Sequence, residues 1–218
     1  MRIRIALVDD HTILREGVRS LIERDPDFVI AAEAANGREA IDLLAKTPID
    51  VVIMDVGMQE MNGVSATENI VRNYPTTRVL ALSMHTDRRF VAGMLDAGAS
   101  GYLLKEGVFR ELADAIRTVH AGNIYLCPKV AGLVVKDFLS IRRGDRREMP
   151  TTALTAREAE VLQLLAEGLT SKTIAYKLEV TDRTIDTYRH RIMKKLGVDS
   201  LAAPVKYAIR EGLTTLDQ

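Results

Sequence analysis

The apolar runs "RIALV", "FVIAAEA", "DVVIM", "RVLALS" and "GYLL" recur through residues 1–126, and stretches such as "TILREGVRSLIERD" and "NGREAIDLLAKT", apolar at helical spacing, lie between them. This alternation constrains the fold more than any other feature of the chain. An apolar run without polar alternation is a strand buried on both faces, as in a parallel sheet. Strands separated by helices pair in parallel through right-handed crossovers. The pattern therefore predicts an α/β doubly wound fold, a five-stranded parallel sheet with five helices. "NGRE" supplies Asn36 as a helix cap with Glu39 three residues on.

The run "VVIMDVGM" poses a sharper question, because a buried strand that ends on a charge needs a reason. In an open parallel sheet, ligands bind outside the carboxyl ends of the strands, where the strand order reverses. On this reading the first strand ends in Asp9 and Asp10, the third in Asp55, the fourth in Ser83 and the fifth in Lys105. A single acid at a strand end is often only a helix cap. Carboxylates brought together at several strand ends repel and raise one another's pKa, which calls for a cation. Mg²⁺ fits, since it takes hard oxygen ligands and sits between one or two carboxylates and a phosphate. Lys105 suits a phosphoryl oxygen and Ser83 adds a hydrogen-bond donor. The set points to phosphoryl transfer onto Asp55.

The pattern changes near "SIRRGDRREMPTT", where charge, Gly and Pro displace apolar periodicity. Residues 127–153 read as a linker that can hold a helix in "VAGLVVKDFL", and residues 154–218 as a small all-α domain of four helices. The first of these opens with Thr155 and Glu158 at capping-box spacing. The whole chain is neutral, with 30 basic and 30 acidic residues, but residues 1–127 carry 14 basic against 18 acidic side chains and the remainder 16 against 12. A basic excess in the second half is compatible with nucleic acid. Cys127 stands alone, "MRIRIALVDD" lacks the apolar core of a signal peptide, and no apolar run approaches the roughly 18 residues of a membrane span. The expectation is a soluble, cytoplasmic protein with no membrane partner.

The motifs "LVDDH", "IMDVGMQEMNG", "LSMH" and "GASGYLLK", in that order, make Ile3 to about Gly122 resemble the flavodoxin-like receiver domain of two-component response regulators. The resemblance implies that Asp55 is the phosphoacceptor for a sensor histidine kinase. It also implies that Asp10, Asp55 and the backbone carbonyl of Gly57 hold Mg²⁺, with Asp9 acting through water. Lys105 would pair with the phosphoryl group, Ser83 would move toward it, and Tyr102 would rotate into the space Ser83 leaves. Gln59 departs from the proline usual in the family, which leaves that loop less rigid.

"LTAREAEVLQLLAEGLTSKTIAYKLEVTDRTIDTYRHRIMKKLGV" resembles the LuxR-type helix-turn-helix of the NarL/FixJ class of response regulators. Ser171 to Leu178 would be the supporting helix, and Asp182 to Leu196 the recognition helix, capped by Thr181. The resemblance places Lys172, Thr181, Thr184, Asp186, Thr187, Arg189, His190, Arg191, Lys194 and Lys195 toward double-stranded operator DNA. Asp186 stands where many relatives carry lysine; a carboxylate there either reads a base or complements the helix dipole. Pro204 falls within "SLAAPVKYAIREG", the dimerising helix of the class, and limits where that helix starts. The implied function is a phosphorylation-dependent transcription regulator that forms a homodimer, with RNA polymerase as a further partner. The alternatives are a regulator that binds DNA without phosphorylation, and an aspartyl-phosphate phosphohydrolase. The hydrolase needs a general acid where Gly57 stands, so an enzyme is not expected. His120 and Cys127 read as structural residues; His11 follows the acid pair and His85 lies two residues after Ser83, and with no Cys partner and no helical His pairing no histidine metal site is expected.

Overall fold

The computed structural model describes residues 2–58, 61–84, 86, 88–142, 154, 156–178 and 180–196. The chain forms two compact units, Met1–Arg143 and Gly144–Gln218. In the first, β1 (Ile3–Val8), α1 (Thr12–Ile22), β2 (Phe28–Ala34), α2 (Gly37–Leu44), β3 (Val51–Asp55), α3 (Gly63–Asn73), β4 (Arg78–Ser83), α4 (Arg88–Asp96), β5 (Gly101–Leu104) and α5 (Val108–His120) alternate. A single 3₁₀ turn, Lys105–Gly107, joins β5 to α5. β6 (Tyr125–Leu126) and α6 (Pro128–Arg142) complete the unit.

All strand pairs are parallel and the order is β2-β1-β3-β4-β5-β6. From β1 the chain winds outward to β2, then returns to place β3 on the other side of β1, so the order reverses between β1 and β3. The unbroken apolar runs mark the interior strands: Val51, Val52, Ile53 and Met54 of β3 are all fully buried. The edge strand β2 is buried only at Phe28 and Ala34. α1 contacts α5, while α2, α3 and α4 contact one another in succession. The Asn36 side chain accepts from the Glu39 backbone N–H at 2.9 Å, and the Glu39 carboxylate accepts from the Ala35 N–H at 2.8 Å, so the expected cap of α2 is present.

The five-strand expectation is exceeded by β6, which pairs Tyr125 with Gly101 and Leu126 with Tyr102. Two residues are too few to leave a period in the sequence. α6, placed within the linker on sequence grounds, groups with the first unit and contacts α4 and β6. Val130 of α6 and the preceding Cys127 belong to the sheet's core. Asp137 pairs with Arg88 of α4 at 2.5 Å, and Lys129 pairs with Glu106 in the turn after Lys105.

The second unit contains α7 (Ala156–Ala166), α8 (Ser171–Lys177) and α9 (Asp182–Leu196) around Val161, Leu162, Ile174, Ile185 and Ile192. Gly168 ends α7 with a φ of 83°, a left-handed position that glycine adopts without strain. Thr170 caps α8, accepting from Thr173 N–H at 3.2 Å, and Thr181 caps α9, accepting from Thr184 N–H at 3.3 Å. Gln59, His85, Thr155, most of the "SIRRGDRREMPTT" segment, Pro204 and the fourth helical pattern lie outside the described residues.

Candidate functional site

Strand register builds the first site. Val8 lies opposite Met54, so Asp9 follows β1 beside Asp55 at the end of β3. Asp55 lies opposite Leu82, placing Ser83 one step on, and Ser83 lies opposite Leu104, placing Lys105 one step further. Each functional side chain is thus the residue at or just beyond the carboxyl end of its strand. The crevice falls at the β1/β3 reversal, the position that the sheet topology favours for a ligand.

Four of its side chains are buried. Asp9, Asp55, Ser83 and Lys105 are 2%, 4%, 1% and 7% exposed. Lys105 Nζ bridges Asp9 Oδ2 at 2.9 Å and Asp55 Oδ2 at 3.0 Å. The second oxygen of Asp55 accepts the Val56 backbone N–H at 2.8 Å, and Asp9 Oδ1 accepts that of His11 at 2.8 Å. Burial pushes the Asp55 carboxyl above the usual carboxylate range; Lys105 pulls it down, and Asp9 and Asp10 add repulsion. One lysine does not offset three carboxylates, and the donors are hard oxygens, so the residues fit a divalent cation. Asp9, Asp10, His11 and Asp55 each present a ligand atom within 4.8 Å of the others. Gly57 lies two residues past Asp55 and is half-buried. Tyr102 is fully buried on β5, opposite Ala81.

Two residues that sequence reasoning did not assign belong to this site. The sequence assigns no role to His11, yet its Nδ1 sits 2.8 Å from Asp10 Oδ1, 3.3 Å from Asp9 Oδ1 and 4.0 Å from Asp55 Oδ2. Its place immediately after the acid pair was the available signal. Gly63 opens α3 where a Cβ would stand 2.1 Å from the Asp55 carbonyl oxygen and 2.9 Å from Val56 Cα. Its own N–H donates to Val56 O at 3.0 Å. α3 therefore rests directly on the backbone that carries Asp55, and Asn62 caps it by accepting from Ser65 N–H at 2.9 Å.

The second site lies on α8 and α9. Lys172, Thr181, Asp186, Thr187, His190, Arg191 and Lys194 are exposed and Thr184 is half-buried. Ile185 and Ile192 fix the orientation of α9 by burying its opposite stripe. Asp186, which is exposed, lies 3.9 Å from the half-buried Arg189, a long pair worth little in energy. Arg189 also donates to Ser171 Oγ at 3.1 Å, which braces α9 against the start of α8. Lys195 pairs with the buried Glu158 of α7 at 2.6 Å. Its charge is thus engaged inside the unit, whereas Arg191 and Lys194 face outward.

Residues 5–117 match the response regulator receiver domain, and residues 152–208 match the luxR family of bacterial regulatory proteins. The transcriptional regulatory protein LiaR of Bacillus subtilis is 36% identical over 211 residues, covering 97% of this chain and 99% of LiaR. A LuxR-family two-component response regulator from Aurantimonas is 38% identical, with a TM-score of 0.61 over 64% of this chain and 99% of that one. The response regulator RcsB, solved in complex with DNA, is 26% identical with a TM-score of 0.58, covering 95% of this chain and 98% of RcsB.

Proposed function

This chain belongs to the response regulators that join a receiver to a LuxR-type DNA-binding domain, which are transcriptional regulators and not enzymes, and from that premise we propose that it is switched by phosphorylation of Asp55. The convergence of Asp9, Asp55 and Lys105 at adjacent strand ends, with Lys105 Nζ 2.9 and 3.0 Å from the two carboxylates, carries this reading. The phosphodonor is a sensor histidine kinase. Asp10, Asp55 and the Gly57 carbonyl would hold Mg²⁺, with Asp9 acting through water, and the ion would supply positive charge to offset that of a phosphoryl group. Lys105 pairs with a phosphoryl oxygen, and Ser83 donates to another. The new group adds about 1.5 to 2 negative charges and three strong acceptors, enough to bias the packing around β4 and β5, where Tyr102 lies.

The output is binding of operator DNA as a dimer, with α9 in the major groove. Two helix-turn-helix units on one duplex read half-sites about one helical turn apart, and pairing supplies affinity that one unit lacks. Treatment with a small phosphodonor and Mg²⁺ is expected to strengthen operator binding and dimerisation together. Electrophoretic shift and sedimentation measurements on the wild type, with and without phosphodonor, check this. Equal binding in both states would establish the phosphorylation-independent alternative instead.

Within α9 the labour divides between charge and base reading. Asp186, Thr187 and His190 are exposed and suited to base edges, while Arg191 and Lys194 suit phosphates. Asp186→Ala is expected to change preference at one position per half-site by roughly 1 to 3 kcal/mol. Lys194→Ala is expected to weaken all sequences alike and flatten the salt dependence. Binding across a randomised operator library at two salt concentrations separates the two. An unchanged preference in Asp186→Ala would leave the carboxylate as a helix-dipole partner only.

A further inference from the structure

We propose that Arg15 is a positioning residue of the acidic crevice: its guanidinium holds the peptide between Asp9 and Asp10 in the orientation that lets Asp10 take Mg²⁺. This rests on reading the crevice as a Mg²⁺ and phosphoryl site. The ladders of β1 end at Val8, which lies opposite Ala34 of β2 and Met54 of β3. Beyond it the Asp9 N–H still donates to Ala34 O at 3.2 Å, and the Asp9 carbonyl oxygen accepts from Arg15 Nη1 of α1 at 2.5 Å. That carbonyl belongs to the peptide leading into Asp10. Because the peptide is planar, turning the carbonyl changes φ of Asp10 and swings its side chain.

Arg15 is itself held from the other side. Its Nε lies 3.4 Å from Glu33 Oε2, and Arg19, one turn along α1, pairs with Glu33 Oε1. Glu33 sits on the edge strand β2, opposite Leu7 of β1. The three side chains therefore tie α1 to the edge strand, and the tie ends on the backbone of the acid pair. The side chains of Arg15 and Glu33 are 18% and 23% exposed, so their bonds are partly screened from water and stronger than surface pairs. A rigid guanidinium fork serves the carbonyl with one nitrogen and the carboxylate with another, which fixes the direction of both bonds. Charge alone would act the other way, because a cation beside the crevice repels Mg²⁺. The two effects are thus opposite in sign.

Calorimetric titration of the full chain with Mg²⁺ alone, without phosphodonor, provides the test. Arg15→Met keeps the length of the side chain but neither its charge nor its fork, and is expected to bind Mg²⁺ about tenfold more weakly than the wild type. Glu33→Gln, which loosens Arg15 without touching the acid pair, is expected to show a smaller loss in the same direction. Glu33 acts only through Arg15, so the double variant should bind no more weakly than Arg15→Met alone. Labelling of Asp55 by a small phosphodonor should fall in Arg15→Met at limiting Mg²⁺ and recover at saturating Mg²⁺. Urea midpoints complete the set, since a merely structural tie would lower the midpoint and leave the Mg²⁺ affinity of the folded protein unchanged. Unchanged or tighter Mg²⁺ binding in folded Arg15→Met overturns the proposal, as do additive losses in the double variant. If Arg15→Met does not fold, Glu33→Gln decides, and wild-type Mg²⁺ affinity there overturns it. A wild type that binds no Mg²⁺ overturns the crevice reading together with the role of Arg15, whereas normal wild-type binding with unaffected variants removes Arg15 alone.

Discussion

Asp55→Asn protein incubated with a small phosphodonor and Mg²⁺ will take up no phosphoryl group, while the wild type takes up one. The amide keeps the shape of the carboxylate and the bond from Val56 N–H at 2.8 Å, so the fold around it survives. What it loses is the nucleophile: an amide oxygen does not form a stable acyl phosphate, and it contributes no charge to a bound cation. Intact-mass and peptide analysis reads the result directly, and a label that persists in Asp55→Asn with no new site acquired would refute the assignment. Stability should move the other way. A buried carboxyl whose folded pKa is raised stabilises nothing at neutral pH: its ionisation costs the fold stability as pH rises from the unfolded through the folded pKa. Without added metal, Asp55→Asn is therefore expected to melt higher than the wild type at neutral pH.

Gly63→Ala will disable the same site without touching a charged group. The added Cβ meets the Asp55 carbonyl oxygen at 2.1 Å and Asp55 C at 3.0 Å, and backbone atoms cannot swing aside as a side-chain tip can. Either α3 lifts away from β3, breaking the Gly63 N–H bond to Val56 O, or the Asp55 backbone shifts. Overpacking of this kind costs roughly 1 to 3 kcal/mol. A displacement near 1 Å at a reacting group slows chemistry by about a hundredfold. Urea unfolding midpoints and the rate of phosphodonor labelling measure the two effects. Gly93→Ala supplies the control, since a Cβ there meets nothing closer than Val64 Cγ2 at 3.7 Å. Wild-type stability and labelling in Gly63→Ala would show that the seat of α3 on β3 does not position Asp55.

The two glycines also illustrate what a sequence conveys and what it withholds. Both lie in helices, and only the backbone underneath distinguishes them. The strands β1 to β5 are legible because each is built around an apolar run, and the placement of Asp9, Asp55, Ser83 and Lys105 follows from strand ends plus the rule for open sheets. His11 is not, because its meaning depends on Asp55, far along the chain and brought close only by the β1/β3 pairing. Lys195 presents the same difficulty in reverse. On a cationic helix its charge looks equivalent to that of Lys194, but it lies on the side that meets Glu158 of α7. Charge counts cannot separate a cation that faces solvent from one committed to a buried carboxylate.

The attachment of α6 to the sheet bears on where an isolated receiver can be cut. A fragment ending at residue 126 would keep β6 but strip away Cys127 and Val130, which are 4% and 0% exposed, and open the core they close. It would also remove Asp137, the partner of Arg88 on α4, and Lys129, the partner of Glu106 beside Lys105. Ending the fragment after Arg142 retains all four contacts, so a recombinant receiver intended to report native phosphorylation kinetics should include the whole of α6.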